Sequence, residues 1–239
     1  METMIEIEKG IFGYANKVIA DSVDLSVAPK EVIAIVGLSG CGKTTILKTI
    51  SGSLPLIGGK IRLDGSERDR VWLSQHLSRT LQNFPLLHWL SVEGNLKLAC
   101  KVRNIRNLDL DAVLVEFSAS HLKHRFPKTL SGGERCRASL AQAVITKPKV
   151  LLLDEPFSGL DLNIKEEIAS YLFSFAEMYG TSVIFVTHDL HDACGYANRV
   201  IVLGNSSLTT VKAIIDPKEG NAISLIRKYM LAENRGVNI

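Results

Sequence analysis

The stretch Val32-Ile33-Ala34-Ile35-Val36-Gly37-Leu38-Ser39-Gly40-Cys41-Gly42-Lys43-Thr44-Thr45-Ile46-Leu47 decides the fold. Its five leading apolar residues have strand length, and a strand apolar on both faces is buried on both faces. Thr44 to Ile50 then carries apolar residues at helical spacing. The loop between, Gly37 to Thr45, fits GxxxxGK[ST] in the context that pattern requires, directly after a strand and directly before a helix. A chance match in a chain of this length arises roughly one time in a hundred. Glycines let consecutive backbone N–H groups curl around a phosphate, and the helix N-terminus adds about half a positive charge aimed at it. In that arrangement Lys43 reaches the β and γ phosphates of a nucleotide, and the Thr44 hydroxyl holds Mg2+. Gly37, Ser39, Gly40, Cys41, Gly42, Lys43, Thr44 and Thr45 are therefore candidate nucleotide contacts.

Further along, Val150-Leu151-Leu152-Leu153-Asp154-Glu155 ends an apolar strand on two adjacent carboxylates. Successive strand side chains diverge, so the two acids can take separate tasks. Asp154 would face Mg2+ and its waters, and Glu155 would polarise a water attacking the γ-phosphoryl group. Leu130-Ser131-Gly132-Gly133-Glu134 opens another helix with a serine and two glycines, a second anion-ready N-terminus.

Around these motifs the chain alternates strand and helix. Ile5 to Glu8 and Val23 to Val27 read as strands, and Ile61-Arg62-Leu63 alternates again after the first helix, in what reads as a parallel-sheet rhythm. Between residues 84 and 130 no β-branched run occurs, and Leu96 to Val102 and Leu110 to Phe117 read as short amphipathic helices, so this segment is a helical insert. Helix is expected over Glu134 to Val144 and Ile164 to Tyr179, and strand over Ser182 to Val186 and Arg199 to Leu203. Beyond Asn205 only Ala222 to Leu231 reads as helix.

Of the 239 residues, 46% are hydrophobic, 22% charged and 6% aromatic, which excludes a disordered chain and a collagen-like one. No apolar run reaches the 18 residues of a membrane span, so work at a membrane needs a partner. The net charge of +3 is scattered rather than gathered in a basic block, and nucleic acid is not the expected partner. Cys41, Cys100, Cys136 and Cys194 lie far apart, which argues for reduced thiols. The start of the chain lacks the pattern of a secretory signal, and a cytoplasmic location is expected.

Taken in order, these residues resemble the ATP-binding subunits of ATP-binding cassette (ABC) transporters, over about 200 residues from the first strands to Leu203. Gly37 to Thr45 is similar to the Walker A motif, Leu130 to Glu134 to the signature motif with Glu in place of the common Gln, and Val150 to Glu155 to Walker B. Ser158-Gly159-Leu160-Asp161 resembles the D-loop, and Val186-Thr187-His188-Asp189 the H-loop. The resemblance implies that His188 contacts the γ-phosphate, that Asp161 lies at the nucleotide, and that a Q-loop glutamine meets Mg2+. Of Gln75 and Gln82, Gln82 takes that role, because the stretch from Gln82 through Trp89, Val92 and Asn95 resembles the segment that follows it in the family. Tyr14 rather than Phe12 is the aromatic expected on adenine.

The implied fold is α/β: a P-loop NTPase (RecA-like) parallel-sheet core with an N-terminal antiparallel β region and an inserted helical subdomain. The core is expected over 1–83 and 131–205, the helical subdomain over 84–130 and a C-terminal extension over 206–239. The implied activity is hydrolysis of ATP with Mg2+ by two copies joined head to tail, Ser131, Gly132, Gly133 and Glu134 of one facing Lys43 of the other. Partners implied are integral-membrane permease subunits and a solute-binding protein, with the chain peripheral on the cytoplasmic face of the membrane. The Gln82 to Asn95 pattern resembles importers of nitrate, sulfonate or taurine. The alternative is a soluble ABC ATPase acting on nucleic acid or ribosomes. Gln142, His88 and Asp192 depart from common family usage without removing a phosphate or metal contact. Cys41, inside the phosphate loop, is expected to lose nucleotide binding on alkylation.

Overall fold

The computed structural model describes residues 3–14, 17–80, 86–106, 109–204 and 210–231. The elements in chain order are β1 (Ile5–Tyr14), β2 (Lys17–Val27), β3 (Val32–Val36), α1 (Lys43–Ile50), β4 (Gly58–Leu63), α2 (Arg70–His76), β5 (Leu77–Thr80), α3 (Val92–Val102) and α4 (Leu110–Glu116). Two short 3-10 turns, Ser120–Leu122 and Pro127–Thr129, lead to α5 (Gly132–Val144), β6 (Val150–Asp154), α6 (Leu162–Tyr179), β7 (Ser182–Val186), α7 (Leu190–Tyr196), β8 (Arg199–Leu203), β9 (Val211–Ile215) and α8 (Ala222–Leu231). The described residues of Met1–Leu73 and Ser182–Ile239 pack as one compact unit, and those of Ser74–Thr181 as another.

In the first unit β3 lies parallel between β7 and β8, with Ile33 level with Ile184 and Arg199, and Ile35 level with Val186 and Ile201. Covered on both faces, β3 tolerates no polar side chain, and Ile33, Ala34, Ile35 and Val36 are all buried. β1 pairs antiparallel with β2 and with β4. The parallel rhythm expected for Ile61–Leu63 is therefore corrected: β4 leaves the parallel sheet and joins the antiparallel one. The reason lies in its wet face, where Arg62 donates to Glu6 at 2.9 Å and Glu8 at 2.6 Å across the ladder, an arrangement a doubly covered strand cannot accommodate. Past β8 the structure adds β9, antiparallel to β8, a strand the sequence reading left out; its alternation is short because it lies at an edge.

In the second unit β5 runs parallel to β6, Leu77 level with Val150 and Thr80 with Leu153. β5 does not look like a buried strand because Ser78 and Thr80 interrupt it, yet both are buried. Arg103, at the end of α3, explains Ser78: its guanidinium donates to the Leu77 carbonyl at 2.6 Å, to Ser78 Oγ at 2.9 Å and to Thr146 Oγ1 at 2.5 Å. Burial pulls the Arg103 pKa below its ordinary value. Arg137 of α5 meets Glu167 of α6 at 2.9 Å, and Ser118 donates to the same carboxylate at 2.7 Å, which fixes these helices around the end of α4. No helix among the described residues is long and apolar enough to cross a membrane.

Candidate functional site

In the first unit the phosphate loop leaves the end of β3 and re-enters helix at Lys43. Gly40 and Gly42 both take left-handed backbone, φ +80° and +90°, where a side chain would be strained. At Gly42 a Cβ would also stand 2.5 Å from Ile19 Cγ2 of β2, so the antiparallel sheet presses directly on the loop. At Gly37 it would stand 2.6 Å from Cys41 Sγ, which closes the loop's base. Lys43 curls back over the loop, its ammonium 2.9 Å from the Gly37 carbonyl and 3.0 Å from that of Leu38. The result is a cationic head above a bend lined with backbone amides at a helix start, a cradle that fits a polyphosphate.

Cys41 lies at the base of the loop. It is 1% exposed, and burial raises its thiol pKa against the opposing pull of Lys43. A buried thiol with little thiolate reacts slowly, so maleimide should label native Cys41 at least about tenfold more slowly than the unfolded chain, with or without ATP. Peptide mapping after timed labelling checks this; rapid labelling of Cys41 that ATP prevents would contradict it.

Other residues of this unit expected at the nucleotide are placed as follows. Tyr14 ends β1, 48% exposed, while Phe12 is fully buried in the core, so only Tyr14 offers a ring face to a ligand. His188 follows β7 and is exposed. Its neighbours hold it: Thr187 is buried and accepts from the Asp189 amide at 3.0 Å, and Asp189 caps α7 by accepting from the amide of His191 at 2.8 Å.

In the second unit β6 delivers Asp154 buried at 4% exposure, and the chain turns at Glu155, whose φ of +52° is left-handed backbone on a non-glycine residue. Such conformations cost about 1–3 kcal/mol and persist where surrounding structure imposes them. One support comes from α5: Cys136 Sγ donates to the Pro156 carbonyl at 3.2 Å, and burial pushes that thiol up to about 12. Asp154 is thus buried at the end of β6, and Glu155 is half-buried in the turn that follows. Oxygen donors such as the Thr44 hydroxyl and the Asp154 carboxylate are the hard ligands that suit Mg2+.

Ser131 starts α5 with a capping box. Its Oγ accepts from the Glu134 amide at 3.3 Å, and Glu134 Oε2 accepts from the Ser131 amide at 2.7 Å. Accepting that bond leaves the serine its hydroxyl proton to donate outward. Gly132 is exposed and a Cβ there would meet nothing within 4 Å, so the helix start is open to a ligand. Gly133 packs under Leu160 and Ile164. Asp161 starts α6, exposed, with its side chain making no capping bond. Gln82 lies outside the described residues. His121 and His124 stand 3.8 Å and 3.6 Å from the carboxylates of Glu134 and Glu93.

The tasks of two side chains escaped the sequence reading, although Asn95 itself stands in the Gln82 to Asn95 pattern. Arg125 donates to Glu134 at 2.7 Å, and nothing in its local sequence announces that partner. Asn95, fully buried, bonds the Leu87 amide at 2.7 Å and the carbonyls of Leu87, Leu90 and Ser91, and so shapes the turn on which Trp89 stands 61% exposed.

The family model described as "ABC transporter" matches residues 20–158. The chain is 33% identical over 246 residues to a sulfate/thiosulfate import ATP-binding protein of Nephroselmis olivacea, the match covering 100% of this chain and 70% of that protein. It is 34% identical over 205 residues to an aliphatic sulfonates import ATP-binding protein of Granulibacter bethesdensis, covering 86% of this chain and 82% of the relative. Some other curated relatives are longer, and of one the chain spans 55%. Among solved structures, cbiO1 of Clostridium perfringens, part of the ABC transporter complex cbiONQ, superposes with a TM-score of 0.79 at 26% identity, over 98% of this chain and 97% of that one.

Proposed function

The chain belongs to the ABC transporter family, whose ATP-binding subunits hydrolyse ATP, and from that premise we propose that it works as one of two head-to-tail copies that drive import of a small solute through membrane permease subunits. The observation that carries the reading is the bend at Gly37–Lys43, with left-handed Gly40 and Gly42 and the Lys43 ammonium over it.

Each residue then has a task. Tyr14 stacks on adenine, and the amides from Gly37 to Thr45 with Lys43 bind the phosphates. Thr44, Asp154 and Gln82 hold Mg2+, which when bound neutralises charge on the phosphate oxygens. Glu155 accepts the proton of the attacking water, and His188 steadies the γ-phosphoryl oxygens. The second copy contributes Ser131, Gly132 and Gly133 as donors, Glu134 as the cap that holds them, and Asp161. A bound nucleotide holds the two copies together and its hydrolysis releases them, so the permease between them is opened and closed in turn.

Sulfonate and sulfate importers among the relatives support a small solute such as sulfonate, nitrate or taurine, delivered by a solute-binding protein. The chain would lie on the cytoplasmic face, with exposed Trp89 turned to the permease. The expected result of purifying the tagged chain from detergent-solubilised membranes of its own cells is a complex with a polytopic membrane protein, whose presence raises ATP hydrolysis. Recovery wholly in the soluble fraction, with salt-sensitive binding to RNA or DNA, would favour a soluble ABC ATPase acting on nucleic acid or ribosomes instead.

A further inference from the structure

The helix start at Ser131 carries an electrostatic contradiction. If it reads a partner's γ-phosphoryl, as proposed above, it should be positive, yet Glu134 puts a full negative charge within the first turn. That carboxylate accepts from the Ser131 amide and is held below the ordinary glutamate value by that bond, with Arg125 contributing. A carboxylate there also offsets the positive end of the helix dipole. The compensating charge comes from outside α5. Arg125 donates to Glu134 Oε1 at 2.7 Å and, through its other nitrogen, to the Thr129 carbonyl, spanning the turn that leads into Ser131. Its own backbone is fixed at both ends: its amide donates to Leu122 at 2.8 Å, and its carbonyl accepts from Val92, at the start of α3, at 2.9 Å.

We propose that Arg125 is a positioning residue of the signature turn: by neutralising Glu134 and bridging to Thr129, it lets the Ser131 hydroxyl and the first amides of α5 attract a phosphoryl group bound to a second copy of this chain. It acts through Glu134 and Ser131 rather than by touching nucleotide. The inference rests on the dimeric reading, and it is specific to a chain with Glu at this position. With Gln at 134 the capping box would survive, since either residue serves, but no charge would need balancing.

The test uses the Glu155→Gln chain, in which the ATP-bound dimer is expected to persist, and measures by sedimentation the MgATP concentration at half-dimerisation. Arg125→Gln is expected to raise that midpoint about tenfold, the equivalent of ~1.4 kcal/mol, by leaving the Glu134 charge exposed to the incoming phosphate. Adding Glu134→Gln to it should bring the midpoint back to within about threefold, which a lost structural contact would not do. A double variant as weak as Arg125→Gln alone would overturn the proposal, either because Arg125 meets the nucleotide itself or because its role is only to hold the turn. Arg125→Lys, which keeps the charge, should dimerise nearly as the parent does and serves as the decisive comparison if the Gln variant melts early; a Lys variant with a tenfold higher midpoint would be equally damaging. Ser131→Arg separates the two levels of the argument. If it dimerises normally the dimeric reading fails, whereas if it does not and the double variant is unrescued, only the role of Arg125 fails.

Discussion

Replacing Glu155 by Gln is expected to lower ATP turnover by about two to four orders of magnitude, the usual contribution of a positioned general base, while leaving ATP binding intact. The side chain keeps its size and loses only the ability to take a proton. Its backbone, left-handed at φ +52°, is imposed by the turn between β6 and α6 and by the Cys136 bond to Pro156, neither of which needs the carboxylate charge. With release of the two copies dependent on hydrolysis, as proposed, the variant should sediment as a dimer with MgATP and as a monomer with ADP. Phosphate release at the parent rate would remove Glu155 from the chemistry.

The second large effect is expected at Lys43. Its ammonium already lies over the loop, 2.9 and 3.0 Å from two carbonyls, and can exchange these for phosphate oxygens by a small swing. Charge-assisted bonds of this kind are worth about 1.5–3 kcal/mol each, so Lys43→Ala should lose about a hundredfold or more in kcat/KM for MgATP. The loop should survive the change, because Gly40, Gly42 and the contact of Gly42 with Ile19 set its shape without the ammonium. A melting temperature close to the parent's with a near-complete loss of hydrolysis is therefore the expected pair of results. Hydrolysis within a few fold of the parent would show that phosphate binds elsewhere.

These sites differ in how far their residues announce them. The phosphate loop is legible because its geometry tolerates few sequences: two of its residues need left-handed backbone, and the ammonium must stand at the first turn of the helix. β6 is legible because a strand buried on both faces can only be apolar until it reaches Asp154. β4 is not, since its alternation suits a parallel or an antiparallel neighbour, and only the pairing of Arg62 with Glu6 and Glu8 decides. β5 is hidden by Ser78 and Thr80; Ser78 is acceptable in a buried strand because Arg103, 25 residues on, bonds its hydroxyl. Nothing in the sequence around Cys41 announces its burial, which only the closure against Gly37 reveals. Arg125 belongs to no motif, because what matters about it is a partner nine residues away across two turns.

The central claim is that a terminal phosphoryl is held by one chain and sealed by another. It is tested most directly by a crystal structure of the Glu155→Gln chain with MgATP. The account requires a two-fold dimer in which each γ-phosphoryl lies within hydrogen-bond reach of Lys43 Nζ from one chain and Ser131 Oγ from its partner. A nucleotide bound at Lys43 with no serine from a second chain on its γ-phosphoryl, in a crystal or in solution at saturating ATP, would contradict it.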